Sequence, residues 1–438
     1  MEIENQIGKE LYQLAEKIFP ICRSITGDGV RETLRILGEY LAEDGLKFDV
    51  TEVPSGTKVL DWTVPKEWRI KDAYVADESG KRVIDFQKNN LHVVGYSLPM
   101  DQWLTKEELG KMIYTQKDQP SVIPYVTSYY KERCGFCISE EQWNALPDAK
   151  YHAVIDSELF DGSLTYAVLV IPGKSSKEIL ITSYTCHPSM ANNECSGPVL
   201  LAALAKYIHS KKDREYTYRF VLHPETIGSL TYLSRNLDHL KESVIAGVVL
   251  SCVGDDDHYS LIASRYGNTL ADKAFRSILE HKENFIPYSF LKRGSDERQY
   301  NAPGIELPVV GFCRSKYGEF PEYHTSADNM SFISAKGLEG AYTAVTEWME
   351  CLESNGYYRM TVLGEPQLGK RGLYPTVSQK GSYDGVMAMM NFITYCDGRN
   401  DLFDISKIIG VSPVDLIPIA NKLMEHGLLE KLDRARND

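Results

Sequence analysis

The sequence predicts an α/β protein with a mainly parallel sheet flanked by helices, an inserted β-rich module and a small helical tail. Three observations carry that prediction. Apolar runs of central-strand type at 166–171, 178–184, 218–223 and 246–253 alternate with helical patterns at 198–208 and 228–236, as expected of parallel strands joined by helical crossovers. Between residues 51 and 149 the texture changes to short aromatic or alternating runs broken by Pro, Gly and Asp. Beyond Glu365 a stretch rich in Gly, Pro and Lys precedes three further helical patterns.

Taken in order, Ile7, Leu11, Leu14, Ala15 and Ile18 fall at helical spacing over 6–18, and Gly27-Asp28-Gly29 introduces a second helix at 30–41. Runs at 62–64, 73–75, 91–96 and 123–130 supply the strands of the insertion. The pattern 335–352, with Leu338, Ala341, Ala344, Trp348 and Cys351 on one face, closes the core. The expected organisation is therefore an α/β domain at 1–50 and 150–360, an insertion at 51–149, a linker at 361–380 and a tail at 381–438. In the tail, helices at 404–409 and 413–427 are joined by Gly410-Val411-Ser412, as in a helix-turn-helix, after a first helix at 387–395.

Composition narrows the function classes. With 438 residues, 43% hydrophobic and 25% charged, the chain can bury a sizeable core. Its formal net charge of −13 repels polyanions, and the tail carries nine acidic against six basic residues. A winged-helix shape is expected there, serving packing, self-association or contact with a partner protein rather than nucleic acid. There is no apolar run long enough to span a membrane and no signal-like start, so a cytoplasmic location is expected. Nine scattered cysteines read as reduced thiols, and the isolated pair Cys134 and Cys137 as structural. The triplet Asp255-Asp256-Asp257 reads as a solvated turn.

The chemistry concentrates at strand ends, where open α/β sheets place their ligands. His187 directly follows the run 178–184, Glu225 lies just past 218–223, and His324 stands in Tyr323-His324-Thr325-Ser326-Ala327-Asp328 ahead of the closing helix. Two neutral imidazoles can hold zinc, and a carboxylate beside them can take a proton from water.

His187, the segment Asn193–Gly197, Glu225-Thr226-Ile227-Gly228 and Tyr323–Asp328 resemble the successive motifs of the di-zinc aminopeptidase superfamily. More closely, the whole chain is similar to a bacterial family of aminopeptidase-like proteins with a nested β domain and a C-terminal winged helix, sometimes linked to polysaccharide biosynthesis. Asp61-Trp62-Thr63-Val64-Pro65, Asn90–Val94, Ile123-Pro124-Tyr125, Gly294–Tyr300 and Glu365–Pro375 carry that likeness. The resemblance implies a zinc-aminopeptidase-like sheet, metal ligation by His187 and His324, and Glu225 as general base. Three positions depart from the pattern. Asn193 stands for a bridging Asp, Thr226 for a metal-binding Glu and Ser251 for a metal-binding Asp.

Two divalent cations close together need anionic ligands to offset their repulsion, and Asn193 is neutral. The expectation is therefore a single zinc on His187 and His324, with Asn193 at the former bridging position. A further carboxylate is sought among Glu194, Asp296, Glu297 and Glu322, Glu297 first. Arg298 could clamp a substrate carboxylate, with Asp296 and Glu322 also at the substrate. The functional expectation is a metal-dependent hydrolase cutting an amide in a small peptide or amide-bearing metabolite. The alternative is a peptidase-like scaffold that has lost its metal and binds a ligand or partner.

Overall fold

The computed structural model describes residues 6–373 and 384–435, so the end of the expected linker and the first residues of the expected tail lie outside the described residues. Contacts divide the chain into two units. One runs to Gly267 and resumes over Ile286–Tyr342; the other is Asn268–Phe285 with Thr343 onward.

The first unit is organised by an eight-stranded sheet whose centre is parallel. Thr217–His223, Glu178–Tyr184, Val244–Leu250 and Val309–Cys313 lie side by side in that order, each parallel to its neighbour. Every residue of Glu178–Tyr184 is buried, which accounts for the apolar run Ile179-Leu180-Ile181 at its centre. Antiparallel strands extend the sheet on both sides: Ser163–Ile171 and then Asp49–Pro54 on one, Tyr259–Ile262 on the other. Helices Ser196–Ser210 and Ile227–Ser243 follow central strands as the alternation predicts. Gly197 is required where the first of these begins, because a Cβ would stand 2.3 Å from Ser183 Oγ and 2.8 Å from the Leu250 carbonyl oxygen.

The insertion forms its own antiparallel sheet, ordered Arg82–Asp85, Glu67–Ala76, Lys150–Phe160 and Met100–Thr105. Lys150–Phe160 thus pairs with the insertion, past the expected boundary at 149, while Asp49–Pro54 belongs to the main sheet. Two expected strands are absent. The run 91–96 holds a 3-10 turn, Asn90–His92, and 123–130 is a loop held by isolated bridges, Gly95 with Thr127 and Pro124 with Thr325.

In the second unit, helices Asp384–Tyr395, Leu402–Ile409 and Pro413–Glu425 stand beside a three-stranded sheet of Asp397–Asp401, Tyr357–Met360 and Leu429–Leu432. Asp401 caps the middle helix in a reciprocal capping box with Asp404, and Gly410 ends it in the left-handed region. Phe392, Leu402, Ile405, Leu416 and Leu423 fill the core between them. No helix among the described residues is long and apolar enough to cross a membrane.

Candidate metal and catalytic site

Three parallel strands deliver the site at their carboxyl ends. His187 comes three residues after Glu178–Tyr184, Glu225 two after Thr217–His223, and Ser251 and Cys252 directly after Val244–Leu250. His324 arrives on a separate loop, and its ring centroid lies 5.4 Å from that of His187. Glu225 Oε2 stands 3.7 Å from His187 Nε2, and Glu225 Oε1 accepts a 2.8 Å hydrogen bond from Ser295 Oγ.

The backbone here is strained. Ser189, Thr226, Cys252 and His324 all adopt positive φ without being glycine, four of the eight such residues among those described. Such conformations persist only where surrounding contacts over-determine them, and they cluster at functional sites. A π-helical turn, Ala191–Cys195, adds a further irregularity just before helix Ser196–Ser210. The carboxylate of Asp328 anchors that turn by accepting from the amides of Asn192 (2.6 Å) and Asn193 (2.9 Å). Asp255 braces it from the other side, accepting from Asn192 Nδ2 and from the Ser315 amide and hydroxyl. At 2% exposure Asp255 is a buried brace, which corrects the solvated-turn reading for that residue, while Asp256 and Asp257 are exposed.

His187 is oriented by a buried ion pair. Glu194 Oε2 meets both the His187 amide (2.9 Å) and Nδ1 (3.0 Å), while Glu194 Oε1 faces Arg23 Nε at 3.2 Å. Arg23 Nε also donates to the His187 carbonyl oxygen. The donor atoms of Cys186, His187 and Glu194 cluster closely enough to suggest an ion there. We read the cluster as a brace, since Glu194 and Nδ1 occupy each other and the Arg23 guanidinium would repel a cation. The Cys186 thiol, moreover, is held protonated by burial.

Electrostatics suit a metal at the opposite side of the ring. Burial, reinforced by Arg23, depresses His187 to about 3, and burial with the neighbouring imidazole does the same to His324. Both rings are thus neutral at ordinary pH, the state in which imidazole ligates. His324 Nε2 and Asn193 Oδ1 are buried with no hydrogen-bond partner among the described residues, a costly state that a cation would relieve. Two neutral imidazoles are donors of the kind one zinc ion takes. A pair of zinc ions fits poorly, because Asn193 and Ser251 are neutral and both turn to the same hydroxyl: Tyr184 Oη lies 3.0 Å from Asn193 Nδ2 and 2.6 Å from Ser251 Oγ. Glu225 keeps 24% of its side chain exposed, yet the desolvated cleft and the negative charge of Asp296 push its carboxyl up to about 8.

The remaining expected residues part company. Glu297, expected as a metal carboxylate, braces a loop with its Oε1, which accepts from the Gly294 and Ser295 amides and from Tyr317, while its Oε2 is buried with no hydrogen-bond partner among the described residues. Asp296 is fully buried, its Oδ1 taking the Thr226 amide and Ser229 hydroxyl, which keeps it from substrate. Glu322 contributes its backbone carbonyl, bonded by the Thr325 amide and hydroxyl, to the turn that carries His324. Arg298 remains at the site, with Nη2 on Thr226 Oγ1 at 2.6 Å. Sequence reasoning missed Arg23, Tyr184, Ser295 and Tyr125. The ring of Tyr125 stands 5.3 Å from His187 and 5.1 Å from His324, and its amide donates to the His324 carbonyl oxygen.

Comparison with known proteins agrees with this architecture. The model of a family described as a domain of unknown function, DUF4910, matches residues 12–355, and a winged helix-turn-helix model matches 356–431. A Clostridium acetobutylicum protein, provisionally named for polysaccharide biosynthesis with an aminopeptidase-like domain, is 45% identical over 405 residues, 92% of each chain. A crystal structure from the same organism, provisionally called a peptidase, superposes with a TM-score of 0.90 at 42% identity, covering 98% of both chains. The zinc aminopeptidase BSAP of Bacillus subtilis shares the fold, with a TM-score of 0.57 at 12% identity over 78% of this chain and 93% of that one. The scaffold is therefore aminopeptidase-like.

Proposed function

Because the chain belongs to the DUF4910 family, and with it to an aminopeptidase-like scaffold, we propose that its cleft performs metal-dependent hydrolysis of an amide in a small peptide or amide-bearing metabolite. One observation carries this reading: two neutral imidazoles, the Nε2 of one orphaned and that of the other 3.7 Å from a carboxylate of raised pKa. His187 and His324 would hold a single zinc ion, with the unpartnered Asn193 carbonyl oxygen as a further donor. When bound, zinc polarises a carbonyl and acidifies water.

The chain's own groups supply the rest. Glu225 accepts the proton of the attacking water at one carboxylate oxygen and returns it to the leaving amine, while Ser295 steadies the other oxygen. Glu194 and Arg23 keep His187 in the tautomer and orientation that leave Nε2 free. Tyr125 covers both imidazoles and limits the entry of water.

Elemental analysis of the purified chain beside His187→Ala and His324→Ala tests the proposal. About one zinc per chain, lost in both variants, is the expected result for a mononuclear site. Two would overturn the argument from Asn193 and Ser251. None would favour the second reading, a binding scaffold, which the neutral trio of Asn193, Tyr184 and Ser251 supports.

A further inference from the structure

The cleft carries recognition groups that the hydrolytic step does not use. Arg298 is exposed on the short helix Glu297–Tyr300, and no ion pair among the described residues engages it, although the chain carries a net charge of −13. Its one side-chain hydrogen bond among the described residues, Nη2 to Thr226 Oγ1, anchors one corner of the guanidinium beside Glu225 and leaves its other N–H groups without a partner there. An unpaired guanidinium presents a planar fork that matches a carboxylate in bidentate fashion.

Two exposed aromatic rings belong to the same space. Tyr130 is 68% exposed and Trp62 36%, and their rings meet edge to face at 5.6 Å. A chain of contacts ties them to the site: Tyr130 packs on Tyr129, the Tyr129 hydroxyl meets that of Tyr125 at 2.8 Å, and Tyr125 covers the imidazoles. Desolvation raises the Tyr130 phenol, Arg298 pulls it down, and Cys186 and Glu225 push it up. Exposed aromatic surface is costly in a soluble fold unless a ligand covers it, and flat faces stack rings with little selectivity for their chemistry.

We propose that the cleft is built for a small amide bearing both a carboxylate and a ring, the carboxylate held by Arg298 and the ring laid on Tyr130 and Trp62. The inference rests on the hydrolase reading only for the bond that is cut; recognition stands apart from it. Two sources share this chemistry, an aromatic peptide with a free carboxylate and a sugar acid that keeps its carboxylate and carries an N-acyl amide.

Calorimetric titration of the full-length chain with two matched pairs distinguishes them: glycyl-phenylalanine against its C-terminal amide, and glucuronic acid against glucuronamide. The acid of one pair is expected to bind about tenfold tighter than its neutral partner, falling to within about twofold in Arg298→Ala and partly retained in Arg298→Lys. Tyr130→Ala weakens both members of that pair alike. The pair that discriminates identifies the source. Equal affinity within both pairs, discrimination that survives Arg298→Ala, or no binding up to about 10 mM overturns the proposal. These are equilibrium readouts, so absence of zinc or turnover leaves them standing, whereas hydrolysis of acidic and neutral amides alike, unchanged in Arg298→Ala, preserves the hydrolase reading and removes this one.

Discussion

A general base works best when its pKa lies near the working pH, and Glu225 is brought there by a desolvated cleft shared with Asp296. Glu225→Gln keeps the shape and removes the proton acceptor. Turnover should fall by about 10²- to 10⁴-fold while zinc content, measured on the same preparation, stays constant. Glu194→Gln should do the reverse, loosening zinc by about 10- to 100-fold in a competition assay with a chromogenic chelator, because it relaxes the hold on His187 and leaves Arg23 buried against a neutral amide. His187, Glu225 and His324 were legible in the sequence because each stands at a strand end or in a compact motif. Glu194 follows His187 by seven residues and could be suspected, but Arg23 reaches the site across 164 residues of chain, a distance no local pattern encodes. Glu297 shows a related limit: the loop amides that take up its Oε1 leave no local pattern in the sequence.

At the scale of elements, one ion-pair cluster joins helix Asp28–Ala42 to the eight-stranded sheet and to the four-stranded sheet of the insertion. Arg31 forks onto Glu67 at 2.7 and 2.9 Å, and Glu67 Oε2 also accepts from the Ser163 amide at 2.8 Å. Burial pushes the Glu67 carboxyl up, but Arg31 and the Ser163 amide outweigh it and hold the group below the usual glutamate range. A carboxylate depressed in the folded state adds stability above its unfolded pKa and loses it as pH falls through the folded value. Glu67→Gln should therefore cost about 2 kcal/mol in denaturant unfolding at pH 7, and the gap to the native chain should narrow below about pH 4. The central strands and their helices were legible because burial on both faces favours apolar runs such as Ile179-Leu180-Ile181. The segment 123–130 was not, because aromatic residues that line a cleft have the same local texture as a strand. Pro124 can donate no ladder bond, and Tyr125 turns instead onto the two imidazoles.

Across the whole molecule, two divisions of the chain disagree, and the disagreement is testable. Family resemblance breaks at residue 355, where the winged-helix match begins. Contacts place Asn268–Phe285 and the later part of helix Ala335–Ser354 in the same compact unit as the winged helix. Within that unit, helix Leu270–Leu279 packs against Leu402–Ile409 and Pro413–Glu425, and Lys273 Nζ lies 2.8 Å from Asp401 and 2.7 Å from Asp404. A chain ended at residue 355 would strip Leu270–Leu279 of that cover and leave Lys273 without both carboxylates. It should melt several degrees below the full-length chain in calorimetry, about 2–4 °C for each kcal/mol lost, and should bind a hydrophobic dye that the full chain excludes. Lys273→Met in the full chain removes the ion pairs alone; the Asp404 pair is exposed and the Asp401 partner buried, and at about 1–2 kcal/mol together their loss should be a minor part of the truncation's. Equal melting of the truncated and full chains would instead show that the boundary of family resemblance is also the boundary of folding, with Leu270–Leu279 stable without the winged helix.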